Sequence, residues 1–376
     1  MSSSDARRPL PAPKSDFIGL EGKIHLATGG EPPLLKAHRD AFERFAADKA
    51  GGFDGYFSHW DLADEVRVLL ASMLSLEPGD IALIGNASEG IAKVVSSIPW
   101  REGDNVVAAA LDYASGRYAL SNLQSRGVEL RLVPAEGWTI SIEDLLAACD
   151  ERTRLLYVSQ VNATTGQLLD IEALSHALSD GPSVLLVDAS HAMGVVPVRG
   201  DLCDFLVCAC YKFLLGVHDG ILAWNRRRRP GFEPFGVGWA AADAGESPAH
   251  YSLTPDARRA EYGNVSHLGA YLLRDSLLYL ESFGIEAIAA HAQALSGRLV
   301  QGMAALGLEV MTPATRQERA GNAAFRCADP EAVVRKAAAE DILVWGDNGR
   351  VRASAHLFTT TQDVETFLAR LPAWLS

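Results

Sequence analysis

A chain of 376 residues can bury a large core but exceeds most single cores, so two unequal lobes are expected. Its net charge of −13 argues against a general nucleic-acid binder, no apolar run reaches the length of a membrane span, and the start at Met1 carries no secretory h-region. The five cysteines, Cys149, Cys203, Cys208, Cys210 and Cys327, show neither metal spacing nor a disulfide framework, which fits a cytoplasmic, reducing setting.

Residues 1–30 are rich in Pro, Ser and Gly and read as an N-terminal arm. Helical periodicity follows over 35–49 and 62–76; the aromatics between, in Gly55-Tyr-Phe-Ser-His-Trp60, line a substrate mouth or staple a helix beginning at Asp61. From there apolar strand candidates fall at 81–84, 106–110, 128–133, 155–158, 184–187, 205–208 and 221–224, with helical stretches such as 141–149 and 171–178 between most of them. This alternation predicts an α/β fold with a mainly parallel seven-stranded sheet covered by helices on both faces. The link 216–220 is too short for a crossover helix, so it predicts a hairpin and one antiparallel strand. The basic run Arg226–Arg229 precedes Pro230 and reads as a solvated turn. Periodicity lapses over 231–255, an ordered loop or a lobe boundary; a long helical region at 267–306, broken at Gly284, then strands near 323–327, 342–345 and 351–353 and a closing helix from Thr361 make a smaller α+β domain. The expected division is 1–30, 31–255 and 256–376.

Candidate chemistry gathers at the strand ends. Lys212 is one of only seven lysines, and it lies in the apolar stretch 204–216. An unpaired ammonium buried there is costly, so the neutral amine becomes accessible, as a Schiff base with an aldehyde requires; a snorkelling lysine is the bland alternative. Asp188 closes an apolar run 24 residues earlier, at the edge where open α/β sheets bind ligands, although a helix cap would also explain it. Together they match the pair that pyridoxal 5'-phosphate needs, a lysine for the aldehyde and a carboxylate for the pyridine nitrogen. Gly85-Asn-Ala87-Ser88-Glu-Gly90 can hold a phosphate at a helix N-terminus, Tyr113 can stack on a ring, Asn162 or Thr164 can donate to a phenolic oxygen, and Tyr211 can reach the phosphate.

With these residues in order, and with Ala260–Asn264 and Val351–His356 beyond them, the chain resembles the class V aminotransferases. This is the branch of fold type I pyridoxal phosphate enzymes that includes cysteine desulfurases, kynureninases and isopenicillin-epimerase-like proteins. The resemblance implies that Lys212 is the Schiff-base lysine, Asp188 the pyridinium partner, Tyr113 the stacking ring, and His191 a neighbour of the phenolic oxygen. It gives the phosphate to Ala87, Ser88 and Tyr211, with Asn264 of the Glu261–Asn264 loop reaching the neighbouring subunit's phosphate in a homodimer with shared sites. It makes Arg352 the grip on the substrate carboxylate, where a two-pronged guanidinium is the suitable shape. Thr28, Tyr56, His59 and Trp60 are further substrate-site candidates read from the sequence itself. Departures include Ala209 and Ala163 at positions where relatives carry serine and asparagine. No cysteine lies between the 329–339 helix and Arg352, where desulfurases carry theirs, so that activity is not expected. Transamination of a small amino acid ranks first, a Cβ-lyase, a kynureninase-like hydrolase or an epimerase second. A non-catalytic protein of the same fold is the competing class; a fused DNA-binding module would mark it, and none is visible.

Overall fold

All seven apolar runs are strands of one sheet in the computed structural model, which describes residues 7–375 apart from 180, 246 and 248. They are β1 (Ile81–Ile84), β2 (Asn105–Ala109), β3 (Glu129–Val133), β4 (Thr153–Ser159), β5 (Val184–Asp188), β6 (Phe205–Ala209) and β7 (Gly220–Trp224). The spatial order is β3-β2-β4-β5-β6-β7-β1, and β7 alone runs antiparallel to its neighbours. The short link from β6 to β7 forces that reversal. Alternate residues feed two cores. Val107, Leu156, Leu185 and Leu206 pack on one face, and Val106, Leu155, Leu186 and Val207 on the other. Burial on both faces is why these runs read as continuously apolar.

Every parallel strand points its carboxyl end to the same edge. Helix Ala87–Ser97 leaves β1 there, capped by Asn86, whose side chain accepts from the Glu89 amide. Tyr113 follows β2, Asp188 ends β5, and the loop carrying Lys212 follows β6. The basic run 226–229 is held by local acids, with Arg226 paired to Asp80 and Arg228 and Arg229 to Asp204.

A second, antiparallel sheet is built from β8 (Asn322–Arg326), β9 (Trp345–Asp347) and β10 (Arg350–Ser354) in the order β8-β10-β9. Its alternation divides the two faces cleanly. Ala323, Phe325, Val351 and Ala353 are buried against Leu299, Val333, Val364 and Phe367 of the flanking helices. Asn322, Arg350, Arg352 and Ser354 occupy the opposite face, turned to the edge of the large sheet.

Three readings need correction. Residues 7–30 do not project as an arm: the Ala12 amide donates to the Leu357 carbonyl, Ile24–His25 pairs in parallel with Ile342–Leu343, and Phe17, Leu20 and Leu26 are buried. The second helix begins at Phe53 rather than near Asp61, so Tyr56, His59 and Trp60 lie in its first turns. The 231–255 stretch contains a small antiparallel pair, Ala242–Ala244 with Tyr251–Leu253.

Gly194 ties the fold to the Lys212 loop. Its φ is +88°, and an added Cβ would lie 2.2 Å from the Phe213 carbonyl oxygen, next to Lys212. Gly194→Ala is expected to lower stability by ~1–3 kcal/mol through strain and displacement of that loop. Urea unfolding checks this; an unchanged midpoint would mean that the loop gives way freely.

Candidate active site

Two carboxylates form the floor of the site. Asp188 accepts from the Ser190 amide at 2.8 Å and from the Tyr157 hydroxyl at 3.3 Å. Asp112, one strand pair away, accepts from the Ser159 amide at 3.1 Å and the Ala109 amide at 3.3 Å. Burial pushes the Asp112 carboxyl up to about 7; the Ser159 and Ala109 bonds oppose the rise and the Asp188 charge adds to it. Asp112 is thus locked into the loop, and Asp188 is held by one amide and a phenol. Tyr157 did not stand out in the sequence, because it reads as part of a strand; Asp112 and Ser190 sit beside Tyr113 and His191 in their motifs but carried no role of their own.

Lys212 is 8% exposed, and its Nζ has no hydrogen-bond or ion-pair partner among the described residues. Its Nζ lies 5.5 Å from the centre of the Tyr113 ring and 5.6 Å from that of Tyr211. Burial holds the amine below the ordinary 10.5; Asp188 pulls the other way and Arg352 pushes it lower. A buried, unpaired amine beside an aromatic face is not a packing device, since a methionine would fill the space without the desolvation cost. Tyr113 is half exposed and offers an open face.

The small sheet supplies the opposite wall. Arg352 is 3% exposed and donates from Nη1 to the Ala163 carbonyl at 2.6 Å, while its Nε is without a partner among the described residues. Burial and then Arg350 push the Arg352 guanidinium down to about 10. His191 Nδ1 meets the Asn322 side-chain amide at 3.1 Å. Burial, followed by the charges of Lys212, Arg352 and Arg350, drives His191 well below its usual value, so the ring is neutral. Gly29 completes the wall: an added Cβ would lie 2.8 Å from Ser354 Oγ, 3.0 Å from the His191 ring and 3.1 Å from Arg352 Nη2. Thr28 Oγ1, Ser354 Oγ and Asn322 Oδ1 are buried without hydrogen-bond partners among the described residues. Buried polar groups are normally satisfied, so this cluster points to a ligand that supplies the missing bonds.

The remaining expected residues divide into two sets. Asn162 is spent on its own turn: its Oδ1 accepts from the Thr164 and Thr165 amides, and its Nδ2 donates to the Leu111 carbonyl at 3.0 Å. The half-buried Thr164 hydroxyl has no such engagement among the described residues. Ala87 and Ser88 open their helix, where amides lack partners within the helix; Ser88 Oγ donates to Ser115 Oγ at 2.7 Å, adding a second hydroxyl. Tyr211 stacks on His218 at 4.2 Å, and His218 pairs with Glu31 at 3.3 Å, bridging the N-terminal segment to the β6–β7 hairpin.

Tyr56, His59 and Trp60 do not join this cluster. Tyr56 donates to Asn264 Oδ1 at 3.1 Å, His59 meets the Tyr271 hydroxyl at 3.1 Å and stacks on His267, and Trp60 packs edge-on against Trp239 and His267. Their contacts are with an aromatic layer between helices rather than with Lys212. The Asn264 loop is anchored by Glu261, which pairs with Arg67 at 2.7 Å and accepts from the Leu83 amide at 2.8 Å, all buried.

The donor set suits a planar, phosphorylated aldehyde: an amine for the carbonyl, an acid below, an aromatic face, and a helix N-terminus flanked by hydroxyls. Among the described residues no group of His, Cys, Asp and Glu is placed to hold a metal, and no helix is long and apolar enough to cross a membrane. The family described as Aminotransferase class-V matches residues 58–367. A probable cysteine desulfurase of Methanothermobacter thermautotrophicus is 25% identical, over 97% of this chain and 96% of that protein. A kynureninase of Geobacillus thermodenitrificans is 25% identical, over 76% of this chain and 71% of its own length. Among solved structures, apo cysteine desulfurase from Thermococcus onnurineus NA1 superposes with a TM-score of 0.87 at 21% identity, covering 96% of this chain and 97% of its own. The cystine C–S lyase C-DES with its product cysteine persulfide gives 0.85 at 20% identity, covering 94% and 98%.

The depressed Lys212 amine is testable directly. Capture of pyridoxal phosphate by apoprotein, fixed with borohydride and read by peptide mass at Lys212, should accelerate with pH through a midpoint below 10.5, because only the neutral amine attacks. A midpoint at or above the ordinary lysine value would mean that the amine is solvated.

Proposed function

The chain belongs to the class V aminotransferase family, whose cofactor is pyridoxal 5'-phosphate, and we propose that it uses this cofactor to act at the α-carbon of a small amino acid, most directly by transamination. The observation that carries this reading is the uncommitted Lys212 amine facing an arginine with a free edge. When bound, pyridoxal phosphate supplies an electron sink for the α-carbon's bonding electrons. Asp188 would keep the pyridine nitrogen protonated, and its bonds from Ser190 and Tyr157 orient it for that task. Tyr113 would cover the ring. The Ala87 and Ser88 amides, Ser88 Oγ and Tyr211 would hold the phosphate.

Arg352 would take the substrate carboxylate on its Nε–Nη2 side, since Nη1 is spent on Ala163 and the missing Cβ of Gly29 keeps Nη2 accessible. Lys212 Nζ would then remove the α-proton. Having no partner of its own, the amine is free both to take that proton and to return it at a second position, which is what amino-group transfer demands. His191, neutral and bonded to Asn322, is suited to orient rather than to protonate.

A second reading, elimination at Cβ, is favoured by the likeness to a cystine C–S lyase. A sulfur leaving group departs as a stable anion and needs no strong acid. Persulfide formation on a protein cysteine is disfavoured: Cys203, Cys208 and Cys210 are buried with their thiols pushed up by burial, and Cys149 and Cys327 are half buried and pushed the same way. The Asn264 loop and the exposed Phe53, Phe57 and Trp239 nearby support a homodimer with shared sites; light scattering at assay concentration should give the dimer mass, and a fully active monomer would count against it.

A panel of amino acids given to the holoprotein, with 2-oxo acid, ammonia and sulfide assayed in parallel, separates the outcomes. A 2-oxo acid without ammonia supports transamination; pyruvate with ammonia supports elimination; silence toward every amino acid removes the enzymatic reading. Arg352→Lys should cost on the order of 2–4 kcal/mol in kcat/KM, mostly through KM, because a point charge cannot reproduce a two-pronged contact. An unchanged KM would put the anchor elsewhere.

A further inference from the structure

Arg350 lies two residues before Arg352 on the same face of β10, and neither the motif pattern nor the proposed chemistry uses it. Its side chain is 9% exposed. The ion partner given by the fold is Asp347, 2.9 Å away across the β9–β10 turn. The pair is close but lacks hydrogen-bond geometry: Asp347 Oδ1 and Arg350 Nε are both buried without a hydrogen-bond partner among the described residues, and Asp347 Oδ2 accepts from the Trp345 indole at 3.0 Å. The Asp347 side chain is 38% exposed, although its Oδ1 is buried. Buried guanidinium groups are normally saturated by geometry, and this one is not.

The surroundings sharpen the imbalance. Lys212, Arg350 and Arg352 are all buried around Tyr113 and His191; Asp188 acts against the charge of Lys212, and Asp347 against those of both arginines. A cofactor phosphate seated at the Ala87 helix would neutralise that end of the site, leaving the arginine pair to the substrate. One α-carboxylate balances Arg352. It leaves Arg350 with an unused Nε and a counter-ion shared with the Trp345 indole.

We propose that Arg350 is a second anion-binding residue of the substrate site, and that the preferred substrate is an acidic amino acid, its α-carboxylate on Arg352 and its side-chain anion on Arg350. Residues two apart on a strand are about 6.6 Å apart along the chain. Guanidinium groups at that spacing suit two anions separated by two or three carbons, either carboxylates or a carboxylate and a sulfinate. The role of Arg350 is specificity: it selects which side chain is held, whereas Lys212 acts on the α-carbon. Asp347 serves as the counter-ion that the substrate anion displaces. This inference rests on the amino-acid reading above.

The test compares holoprotein with aspartate, glutamate and cysteine sulfinate against their neutral counterparts asparagine, glutamine and alanine. Wild type should favour the acids in kcat/KM, and Arg350→Gln should lower the acid-to-neutral ratio roughly 10- to 100-fold, the range of a charge-assisted contact. Asp347→Asn removes the competing carboxylate and should raise the ratio. The preferred acid separates the carboxylate and sulfinate cases. A binding arm needs no turnover: succinate should raise the melting temperature of wild type more than butyrate does, and this difference should vanish in Arg350→Gln. If Arg350→Gln does not fold, Arg350→Met and Asp347→Asn carry the same comparison. A ratio or a succinate difference unmoved by these variants overturns the proposal while leaving the amino-acid reading intact. A holoprotein that reacts with no amino acid overturns that reading instead.

Discussion

Three cations buried around one cleft are what the rest of this structure has to accommodate. Lys212, Arg350 and Arg352 each lose most of their hydration, and a buried charge without full compensation is expensive. Soluble proteins avoid that cost unless ligands repay it. Here the effects are visible on each group: the Lys212 amine and both guanidinium groups are held below their ordinary values by burial first, and His191 is kept neutral among them. The cleft is therefore poised for anions and for an electrophilic carbon, and the family's phosphorylated aldehyde and an amino-acid carboxylate are ligands of that kind.

The architecture explains how the cations come together without unfolding the chain. Lys212 rides on a loop pinned by Gly194 against the Phe213 carbonyl. The arginines ride on a separate sheet whose other face is buried among helices. The N-terminal segment then threads between the two, with Gly29 close against Arg352, His191 and Ser354, and Ile24–His25 paired to the small sheet's side of the molecule. A segment that composition alone marks as an arm is thus part of the wall of the site.

Much of this was legible because parallel strands buried on both faces announce themselves as short apolar runs, and their ends are where polar residues become conspicuous. Asp188, Lys212 and Tyr113 could be singled out on that basis, and the structure gathers them with Arg352. The reading faltered where a side chain's fate is decided by distant partners. His59 and Trp60 read as lining a substrate mouth or stapling a helix, and their partners His267, Tyr271 and Trp239 lie about two hundred residues on. Asn162 has the right chemistry, but its own turn consumes its carbonyl oxygen. Asn322 could not be foreseen, since its meeting with His191 joins the two sheets. Arg350 was missed although the signal was present: in Arg350-Val351-Arg352 the alternation of a strand puts both arginines on one face.

The central claim is that the Lys212 amine, with Asp188 beneath it, exists to move an α-proton. It is tested most directly by proton NMR of amino acids incubated with holoprotein in deuterated water. The account predicts that at least one amino acid exchanges its α-proton, that Asp188→Ala binds pyridoxal phosphate but exchanges several orders of magnitude more slowly, and that Lys212→Ala does not exchange. Holoprotein that carries the cofactor on Lys212 and exchanges no amino acid's α-proton, or an Asp188→Ala variant that exchanges as fast as wild type, would contradict it.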